Sequence, residues 1–399
     1  MPHSRLNDDT SNAAPATSLQ GEGKTILPRR IRFGDRGQGA KPKFSIIIAV
    51  HNTAEFLPDC LDSLLDQSFE DFEVIAVDDA STDGSLFCLS RYAVSDPRVT
   101  VIELDHNGGA GAARNAGIAH ARGEYVWFID SDDWVDRDSL AKIAERLEAD
   151  DPDVLLFGWS RRYPDGHASD CPALEHLRAA PSRFVLHEWP QAIRILHTPW
   201  NKVVRRELID RTQFDFASGW YQDLSFTYLM LAAAGRISAL TDNLVNYRQR
   251  PSGAMSTKGK GHLAVLRQWS TVFSLVSQHS PRPDILKPYL FDRMSWHLLE
   301  VIRKPERVPP EHWGEYLRGA RQLWREHRPA GYRFPPGAIG IRYRMMAGKL
   351  PLSRLIPFSA RIASQARRMF GLPPAGRVPS QHGSPVKDSA TPTAFAAAS

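Results

Sequence analysis

The sequence predicts an α/β protein with a mostly parallel sheet and helices on both faces, followed by a C-terminal α-helical region. Short β-branched or aromatic runs alternate with amphipathic segments between residues 44 and 159. Strict alternation of this kind favours parallel strands joined by crossover helices. A second observation is the four-residue spacing of Leu286, Leu290 and Met294, which predicts that residues 262–323 are helical.

Each element of the alternating region is assigned from its own pattern. The run 125–129 is aromatic and β-branched and follows Gly123, which is typical of a buried strand. By the same criteria strands are predicted at 44–50, 72–77, 99–103, 125–129 and 153–159. Helices are predicted at 55–67, 85–95, 110–121 and 139–149. Residues 184–250 are mixed and carry polar clusters.

The amino-acid composition indicates what class of protein this is. The 399 residues are 42% hydrophobic and 24% charged, as in soluble globular proteins of about two domains. The three cysteines, Cys60, Cys88 and Cys171, show no metal-ligand spacing and favour a reduced, cytoplasmic protein. No run of eighteen apolar residues and no signal-peptide pattern occurs.

The two ends of the chain differ from its centre. Residues 1–40 and 371–399 lack periodicity and are predicted to be disordered. Residues 256–370 form a helical, basic region, and within it 338–370 combine apolar with basic residues. This profile indicates peripheral contact with an anionic membrane surface; the alternative is a basic outer face packed on the rest of the protein. Nucleic-acid binding is not expected, since aromatic and basic residues do not interleave.

An acidic turn, Asp130-Ser131-Asp132-Asp133, follows the strand 125–129. Ligands bind at the carboxyl ends of strands in open α/β sheets, and neighbouring carboxylates are stable together when a divalent cation neutralises them. The alternative is that Asp132, Asp133 and Asp136 cap a helix beginning near Trp134. Taken alone, the turn fits either interpretation.

Two further segments place polar groups beside this turn. The strand 72–77 ends in Asp78-Asp79, and a carboxylate there can accept hydrogen bonds from a nucleobase or ribose. His51 follows the first strand, where its ring could flank a base or be structural. The glycine-rich segment 107–115 does not have dinucleotide-binding spacing, but its Arg114 is a candidate diphosphate partner.

These motifs together resemble the nucleotide-sugar-binding half of a family 2 glycosyltransferase with the GT-A fold. The matching segments are Ser45–Ile48 with Asn52, Leu64–Phe69, Val77–Asp83, Ala113–Gly117 and Asp130–Asp133. The resemblance implies that Asp79 contacts the nucleobase and that Asp130 and Asp132 hold Mg²⁺ or Mn²⁺ on the sugar-nucleotide diphosphate. Two departures are His51 in place of the family's tyrosine and Ala80 in place of its glycine.

The next segments are similar to the bacterial capsular polysaccharide and teichoic-acid branch of that family. They are Thr198–Val203 with Arg206–Ile209, Gly219–Leu224, and Asn246–Arg250. The resemblance implies a GT-A domain over 41–255, with a nucleotide-sugar half at 41–135 and an acceptor half at 136–255. The branch's Glu-Asp pair is Gln222-Asp223 here, which leaves Asp223 as the candidate general base. A helix cap is the alternative role for Asp223.

Six more residues are expected to contact the acceptor or the diphosphate. They are Trp200, Asn201, Lys202, Trp220, Arg248 and Arg250. For Trp200 and Trp220 a place in the core is an equally good interpretation. Arg250, with Arg114, is expected to help the metal stabilise the leaving group.

The resemblance implies a metal-dependent inverting glycosyltransferase at the inner membrane face. It would move single sugars from a nucleotide-diphosphate sugar to a polysaccharide, teichoic-acid or lipid-linked acceptor, since the Gln-x-x-Arg-Trp motif of processive synthases is absent. The alternative is a catalytically silent sugar-nucleotide-binding or scaffold subunit of a polymer-assembly complex.

Overall fold

The computed structural model describes residues 28–32, 41–250, 259–304 and 307–348. Its strands are β1 (Pro28–Arg32), β2 (Phe44–Val50), β3 (Phe72–Asp78), β4 (Val99–Leu104), β5 (Tyr125–Asp130), β6 (Trp134–Val135), β7 (Val154–Arg162), β8 (Ala168–Asp170), β9 (Lys202–Arg205) and β10 (Ile237–Arg248). The five strands predicted between residues 44 and 159 correspond to β2, β3, β4, β5 and β7.

The helices complete the alternation and continue beyond it. They are α1 (Leu57–Leu65), α2 (Ser85–Ser95), α3 (Gly109–His120), α4 (Ser139–Asp150), α5 (Leu174–Arg178), α6 (Arg206–Thr212), α7 (Gln222–Ala233), α8 (Ala264–His279), α9 (Pro283–Ile302), α10 (Trp313–His327) and α11 (Gly337–Met346). The four helices predicted between residues 55 and 149 correspond to α1–α4, with ends that differ by no more than a few residues.

All ten described strands belong to one sheet, in the order β1-β4-β3-β2-β5-β9-β7-β10-β6, with β8 paired to β7. Strands β4, β3, β2 and β5 are parallel, and Ile47 of β2 lies opposite both Ile75 of β3 and Phe128 of β5. Every residue of β3 is buried, as expected for a strand covered by helices on both faces. The predicted mostly parallel sheet of the GT-A fold is confirmed.

The small residues of α3 allow this helix to lie close to the sheet. A Cβ added at Gly117 would be 2.4 Å from Cγ2 of Ile47 on β2, so any larger residue would push the helix outward. This close packing of α3 on the sheet depends on Gly117. It also brings Arg114, which is on the same helix, towards the carboxyl end of β5.

The second half of the sheet brings a distant segment to the acidic turn. Strand β9 is antiparallel to both β5 and β7, and β10 runs parallel to β7. The short strand β6 pairs with β10, with Val135 opposite Val245 and Trp134 opposite Asn246. Because β6 follows the acidic turn directly, this pairing places the end of β10 beside Asp132 and Asp133.

Helices α8–α11 form the predicted C-terminal helical region, and α8 packs against α7. Trp269 of α8 stacks on Tyr228 of α7 with ring centroids 5.4 Å apart. In α11, Tyr343 and Met346 are buried while Ile341 is exposed. Residues 338–348 therefore pack on the helical region, and residues 349–370, which carry the rest of the predicted membrane contact, lie outside the described residues.

The predicted disordered ends have different outcomes. The prediction for 1–40 omitted β1, which is antiparallel to β4. The open edge of β4 can supply backbone hydrogen bonds to a segment that has no hydrophobic periodicity of its own. The predicted tail 371–399 lies outside the described residues. Among the residues that are described, no helix is long and apolar enough to span a membrane.

Candidate active site

The acidic turn lies at the carboxyl end of β5, and it does not begin a helix. The backbone N–H of Asp133 donates to the carbonyl oxygen of Asp130 at 3.0 Å, which closes the turn. Residues 134–135 then form β6, and helix α4 begins only at Ser139. The interpretation of this turn as a helix cap near Trp134 is therefore wrong, because pairing with β10 holds the chain extended there.

Asp130 is paired with Arg114 across the carboxyl edge of the sheet. Arg114 Nη2 donates to Asp130 Oδ1 at 2.8 Å, and the guanidinium lies 5.5 Å from the ring of Phe216. The arginine side chain is 7% exposed while that of Asp130 is 34% exposed. The Asp130 carboxylate is thus accessible to solvent, whereas the Arg114 guanidinium that pairs with it is buried.

Asp132 faces a second arginine from the end of β10. Arg250 Nη2 lies 2.5 Å from Asp132 Oδ2, and Arg250 also stacks on Phe56 at 4.8 Å. Burial, followed by the charge of Asp130, raises the pKa of Asp132, and Arg250 opposes that rise. The positive charge of Arg250 thus offsets the repulsion between the carboxylates of Asp130 and Asp132.

Arg248 stabilises the backbone of the turn. Its Nε donates to the carbonyl oxygen of Asp132 at 2.8 Å, and its backbone N–H donates to Asp133 Oδ1 at 2.9 Å. Its Nη2 is 2.7 Å from Asp59, and its guanidinium stacks on Trp134 at 4.5 Å. The structure therefore uses Arg248 to fix the turn, whereas Arg250 is directed at a carboxylate.

Asp133 is fully buried, and its Oδ2 has no hydrogen-bond partner within the described residues. Burial raises its pKa well above the usual range, and the charges of Asp132 and Asp130 add to the effect. Below the turn, the Sγ of buried Cys60 contacts the carbonyl oxygen of Asp130 at 3.8 Å. Sequence reasoning missed Cys60, since its position in α1 indicates only a core residue.

Asp79 connects β3 to the start of α3. Its two carboxylate oxygens accept from the backbone N–H groups of Gly108 and Gly109 at 2.7 and 2.8 Å. His51 Nδ1 is 2.8 Å from the carbonyl oxygen of Asp79, and the Asn107 amide nitrogen is 3.0 Å from His51 Nε2. The structure thus brings His51, Asp79 and the glycine segment together, and it adds Asn107, which sequence reasoning did not assign a role.

Asp223 lies in the first turn of α7, where it interacts electrostatically with Arg114 and Asp130. Burial raises its pKa to about 6, and the charges of Arg114 and Lys202 oppose that rise. Tyr221, which precedes α7, has a φ of +62°, a conformation that is unfavourable for a bulky residue. A carboxylate with a pKa near 6 is ionised at neutral pH and still basic enough to accept a proton.

Gln222 connects the start of α7 to Arg114. With its amide oriented to satisfy both ends, the oxygen accepts from Arg114 Nη1 at 3.1 Å and the nitrogen donates to the Gly219 carbonyl oxygen at 2.8 Å. A glutamate could not donate that second bond. The local hydrogen bonds therefore suit the glutamine at position 222 better than the glutamate of the branch's Glu-Asp pair.

The predicted acceptor residues divide into buried and accessible groups. Trp200 is 2% exposed and packs edge-on against Trp159 at 5.3 Å, so it takes the core position that was its alternative. Asn201 and Lys202 are buried as well. Trp220 is half-buried and packs against His262, with ring centroids 4.7 Å apart.

The acidic turn suits a divalent cation that is shared with a substrate. In the described part of the chain, no cluster of three or more His, Cys, Asp or Glu residues could hold a metal ion alone. Magnesium ions, however, usually take one or two carboxylates and complete their shell with water and substrate phosphates. Asp130 and Asp132 supply hard oxygen donors of this kind, so the residues present fit such an ion.

A family model described as "Glycosyl transferase family 2" matches residues 45–211. Residues 45–211 belong to glycosyl transferase family 2. This family 2 domain contains both acid clusters, Arg114 and Lys202, while Asp223 lies beyond the matched range in α7. The family predicted from the motifs is confirmed.

The curated relatives of the family 2 domain include bacterial glycosyltransferases. The chain is 33% identical over 215 residues to the uncharacterized glycosyltransferase EpsJ of Bacillus subtilis, covering 53% of this chain and 62% of EpsJ. It is 30% identical over 217 residues to the poly(ribitol-phosphate) β-N-acetylglucosaminyltransferase TarS of Staphylococcus aureus, covering 53% of this chain and 36% of TarS. The chain thus spans only part of these relatives.

Solved structures confirm the fold. The crystal structure of S. aureus TarS 1–349 in complex with UDP-GlcNAc matches with a TM-score of 0.61 at 21% identity. The match covers 82% of this chain and 87% of that one. This match confirms the GT-A fold. The predicted likeness to the capsular polysaccharide and teichoic-acid branch is confirmed by the 30% identity to TarS.

Proposed function

We propose that this protein is an inverting, metal-dependent glycosyltransferase that moves a single sugar from a nucleotide-diphosphate sugar to an acceptor hydroxyl. The acceptor class we propose is a cell-surface polysaccharide, teichoic acid or lipid-linked precursor. The family 2 domain, and relatives that are named for transfer to poly(ribitol phosphate), support this class. Neither the family match nor the site favours the catalytically silent alternative.

One observation carries the proposal. Arg114 lies between two groups. On one side it pairs with Asp130 of the acidic turn. On the other side it contacts Gln222, next to Asp223, whose carboxylate has a raised pKa. The Asp223 carboxylate suits proton removal from an acceptor, and the acidic turn suits binding of a diphosphate and its cation. These are the two requirements for displacing a nucleoside diphosphate from an anomeric carbon.

On the donor side, Asp132 with Asp130 would hold Mg²⁺ or Mn²⁺. When bound, this ion neutralises charge that builds on the leaving diphosphate. Arg114 and Arg250 each already contact one of these carboxylates, and both can turn their donors towards phosphate oxygens. We propose that His51 flanks the nucleobase, and that Asp79 contacts it or orders the adjacent Gly108–Gly109 backbone.

On the acceptor side, Asp223 would accept the proton of the attacking hydroxyl as its oxygen bonds to the anomeric carbon. The bond from that carbon to the diphosphate oxygen breaks in the same step, and the leaving group keeps the electron pair. A single displacement with one base inverts the anomeric configuration. Trp220, which is half-buried, is the proposed acceptor contact.

The decisive experiment is a donor panel. UDP-, GDP- and CDP-linked sugars, with UDP-GlcNAc included because TarS was crystallised with it, are incubated with Mn²⁺ and polymer acceptors. We expect transfer from one nucleotide class, loss of transfer with EDTA, and an inverted anomer by NMR. Asp223→Asn should lower kcat by about 10²–10⁴-fold and leave donor affinity nearly unchanged.

Two outcomes would contradict parts of this proposal. Metal-dependent donor binding without transfer to any acceptor would support the silent alternative. Transfer that persists in Asp132→Asn with EDTA present would remove the metal from the mechanism.

We further propose that residues 41–255 are the catalytic domain, and that the basic segment 338–370 contacts an anionic membrane at the cytoplasmic face. Because residues 338–348 pack on the helical region, the segment 349–370 would carry most of that contact. Deleting 349–399 should release the protein from vesicles that contain anionic lipid. Unchanged partitioning would overturn the membrane proposal without affecting the enzymatic one.

A further inference from the structure

The ammonium group of Lys202 is enclosed by the protein. Its residue is 1% exposed, and Nζ donates to the Thr198 carbonyl oxygen, to Asn201 Oδ1 at 2.6 Å and to Thr227 Oγ1 at 3.3 Å. Three acceptors match the three N–H groups of a charged lysine, whereas a neutral amine could donate only two of these bonds. Lys202 is therefore placed to act on the protein and not directly on a substrate.

The acceptors connect this lysine to the helix that carries the candidate base. Thr227 is four residues after Asp223 and lies one turn further along α7, on the same face. Thr227 Oγ1 in turn donates to the His197 carbonyl oxygen at 3.0 Å. Lys202 and Thr227 together join the loop that contains residues 197–201 to the first turns of α7.

The charged groups around Asp223 and Lys202 come from several elements. Asp223 faces Arg114 of α3, Asp130 of β5 and Lys202 of β9. Lys202 faces His197, and beyond it lie His297 and Arg293 of α9. Burial lowers the pKa of His197 far below its ordinary value and that of His297 to about 3, so both rings are neutral at physiological pH.

Lys202 and Arg114 both act on Asp223, but they differ in which other carboxylates they interact with. Arg114 acts more strongly on Asp223, but it is already paired with Asp130 and would turn towards a diphosphate. Among the described residues, Asp223 is the carboxylate whose charge raises the pKa of Lys202. Burial, opposed by the charge of Asp223, lowers the pKa of Lys202 to about 7, and the three acceptors favour the charged form.

We propose that Lys202 is a positioning residue for the transfer reaction: its buried ammonium fixes the first turns of α7 and supplies the positive charge that stabilises the Asp223 carboxylate. This inference rests on the proposed role of Asp223 as the base. It assigns Lys202 neither to the diphosphate nor to the acceptor.

The direct test measures the ionisation of Asp223 without using turnover. The full chain is labelled with ¹³C at the aspartate carboxyl groups, and the Asp223 signal is assigned by its loss in Asp223→Asn. In Lys202→Met we expect the Asp223 pKa to rise by about half a unit or more, since a nearby cation is removed. Lys142→Met, which removes a surface lysine on α4, is the matched control and should leave that pKa unchanged.

A second variant keeps the lysine and cancels its charge. Asn201→Asp places a carboxylate where the amide oxygen now lies 2.6 Å from Nζ. It should move the Asp223 pKa in the same direction, and it decides the question if Lys202→Met does not fold. An Asp223 pKa that does not move in a folded variant of either kind overturns the proposal.

The kinetic test uses the donor that the wild type turns over. Lys202→Met should move the acidic limb of kcat/KM to higher pH, so that the loss of rate at pH 5 exceeds the loss at pH 8.5 by about threefold or more. Equal losses at both pH values would leave Lys202 with a purely structural role and overturn the electrostatic part. If the wild type transfers no sugar, the proposed function fails, while the carboxyl titration still decides whether Lys202 stabilises Asp223.

Discussion

Arg114 and Asp130 form a 2.8 Å ion pair at the boundary between the two halves of the site. The same guanidinium contacts the Gln222 amide oxygen at 3.1 Å and lowers the pKa of Asp223. Arg114 therefore links the group that would hold the diphosphate to the group that would accept the proton. A change at this residue should affect both.

Replacing Arg114 tests that link. We expect Arg114→Met to lower kcat/KM by about 10²-fold or more, because a buried donor to the leaving group is lost. The acidic limb of the pH profile should also move upward, since Arg114 no longer favours the Asp223 carboxylate. Steady-state kinetics from pH 5 to 9 measure both effects. Arg137→Met, at an exposed arginine of the family 2 domain, should show neither.

The raised pKa of Asp223 predicts a cost in stability. Its pKa is about 6 in the folded protein and about 4 when unfolded, so the folded state binds more protons between these values. The free energy of unfolding then falls as pH rises from about 4 to 6. Asp223→Asn should be more stable than the wild type by about 1–2 kcal/mol at pH 7.5, and this advantage should shrink towards pH 4. Urea unfolding at both pH values checks the sign; a destabilised variant at pH 7.5 would contradict the assignment.

Restoring the family's glutamate should be unfavourable in this chain. In Gln222→Glu a carboxylate oxygen would face the Gly219 carbonyl oxygen, which now accepts a hydrogen bond. We expect a loss of about 1–2 kcal/mol at pH 7.5, and less at low pH, where a protonated glutamate can donate again. Gln222→Met removes the same bonds without adding charge, so its loss should not depend on pH. Thermal unfolding across pH separates the two variants.

Ala80 offers a prediction that concerns stability alone. This residue has a φ of +54° and lies directly after Asp79, in the loop between β3 and α2. Since a left-handed conformation costs an L-residue about 1 kcal/mol, Ala80→Gly should stabilise the protein by a similar amount and raise Tm by about 2 °C. Ala149→Gly, on the exposed face of α4, should do the opposite. A fall in Tm for Ala80→Gly would show that the loop gains nothing from glycine.

The sequence predicted most of the elements in the first half because their signals are local. Strand β5 is a continuous aromatic and β-branched run, and α2 has the predicted bounds of residues 85–95. It missed β1 and β6, whose hydrogen bonds come from the edges of β4 and β10. A strand that depends on a distant partner leaves little trace in its own residues.

For the site, the sequence by itself singled out the candidate residues: the acids at two strand ends, Arg114 and Asp223. Short motifs suffice for this because the residue types are fixed by what a diphosphate and a proton transfer require. Only the tertiary structure decided what each residue contacts. Asp133 binds the backbone of Arg248, 115 residues away, and Lys202 donates to Thr227, 25 residues away. Contacts of that span depend on how the two halves of the sheet meet around β9 and β10. Burial in that region encloses the ammonium group of Lys202, which the sequence predicted to contact the acceptor or the diphosphate.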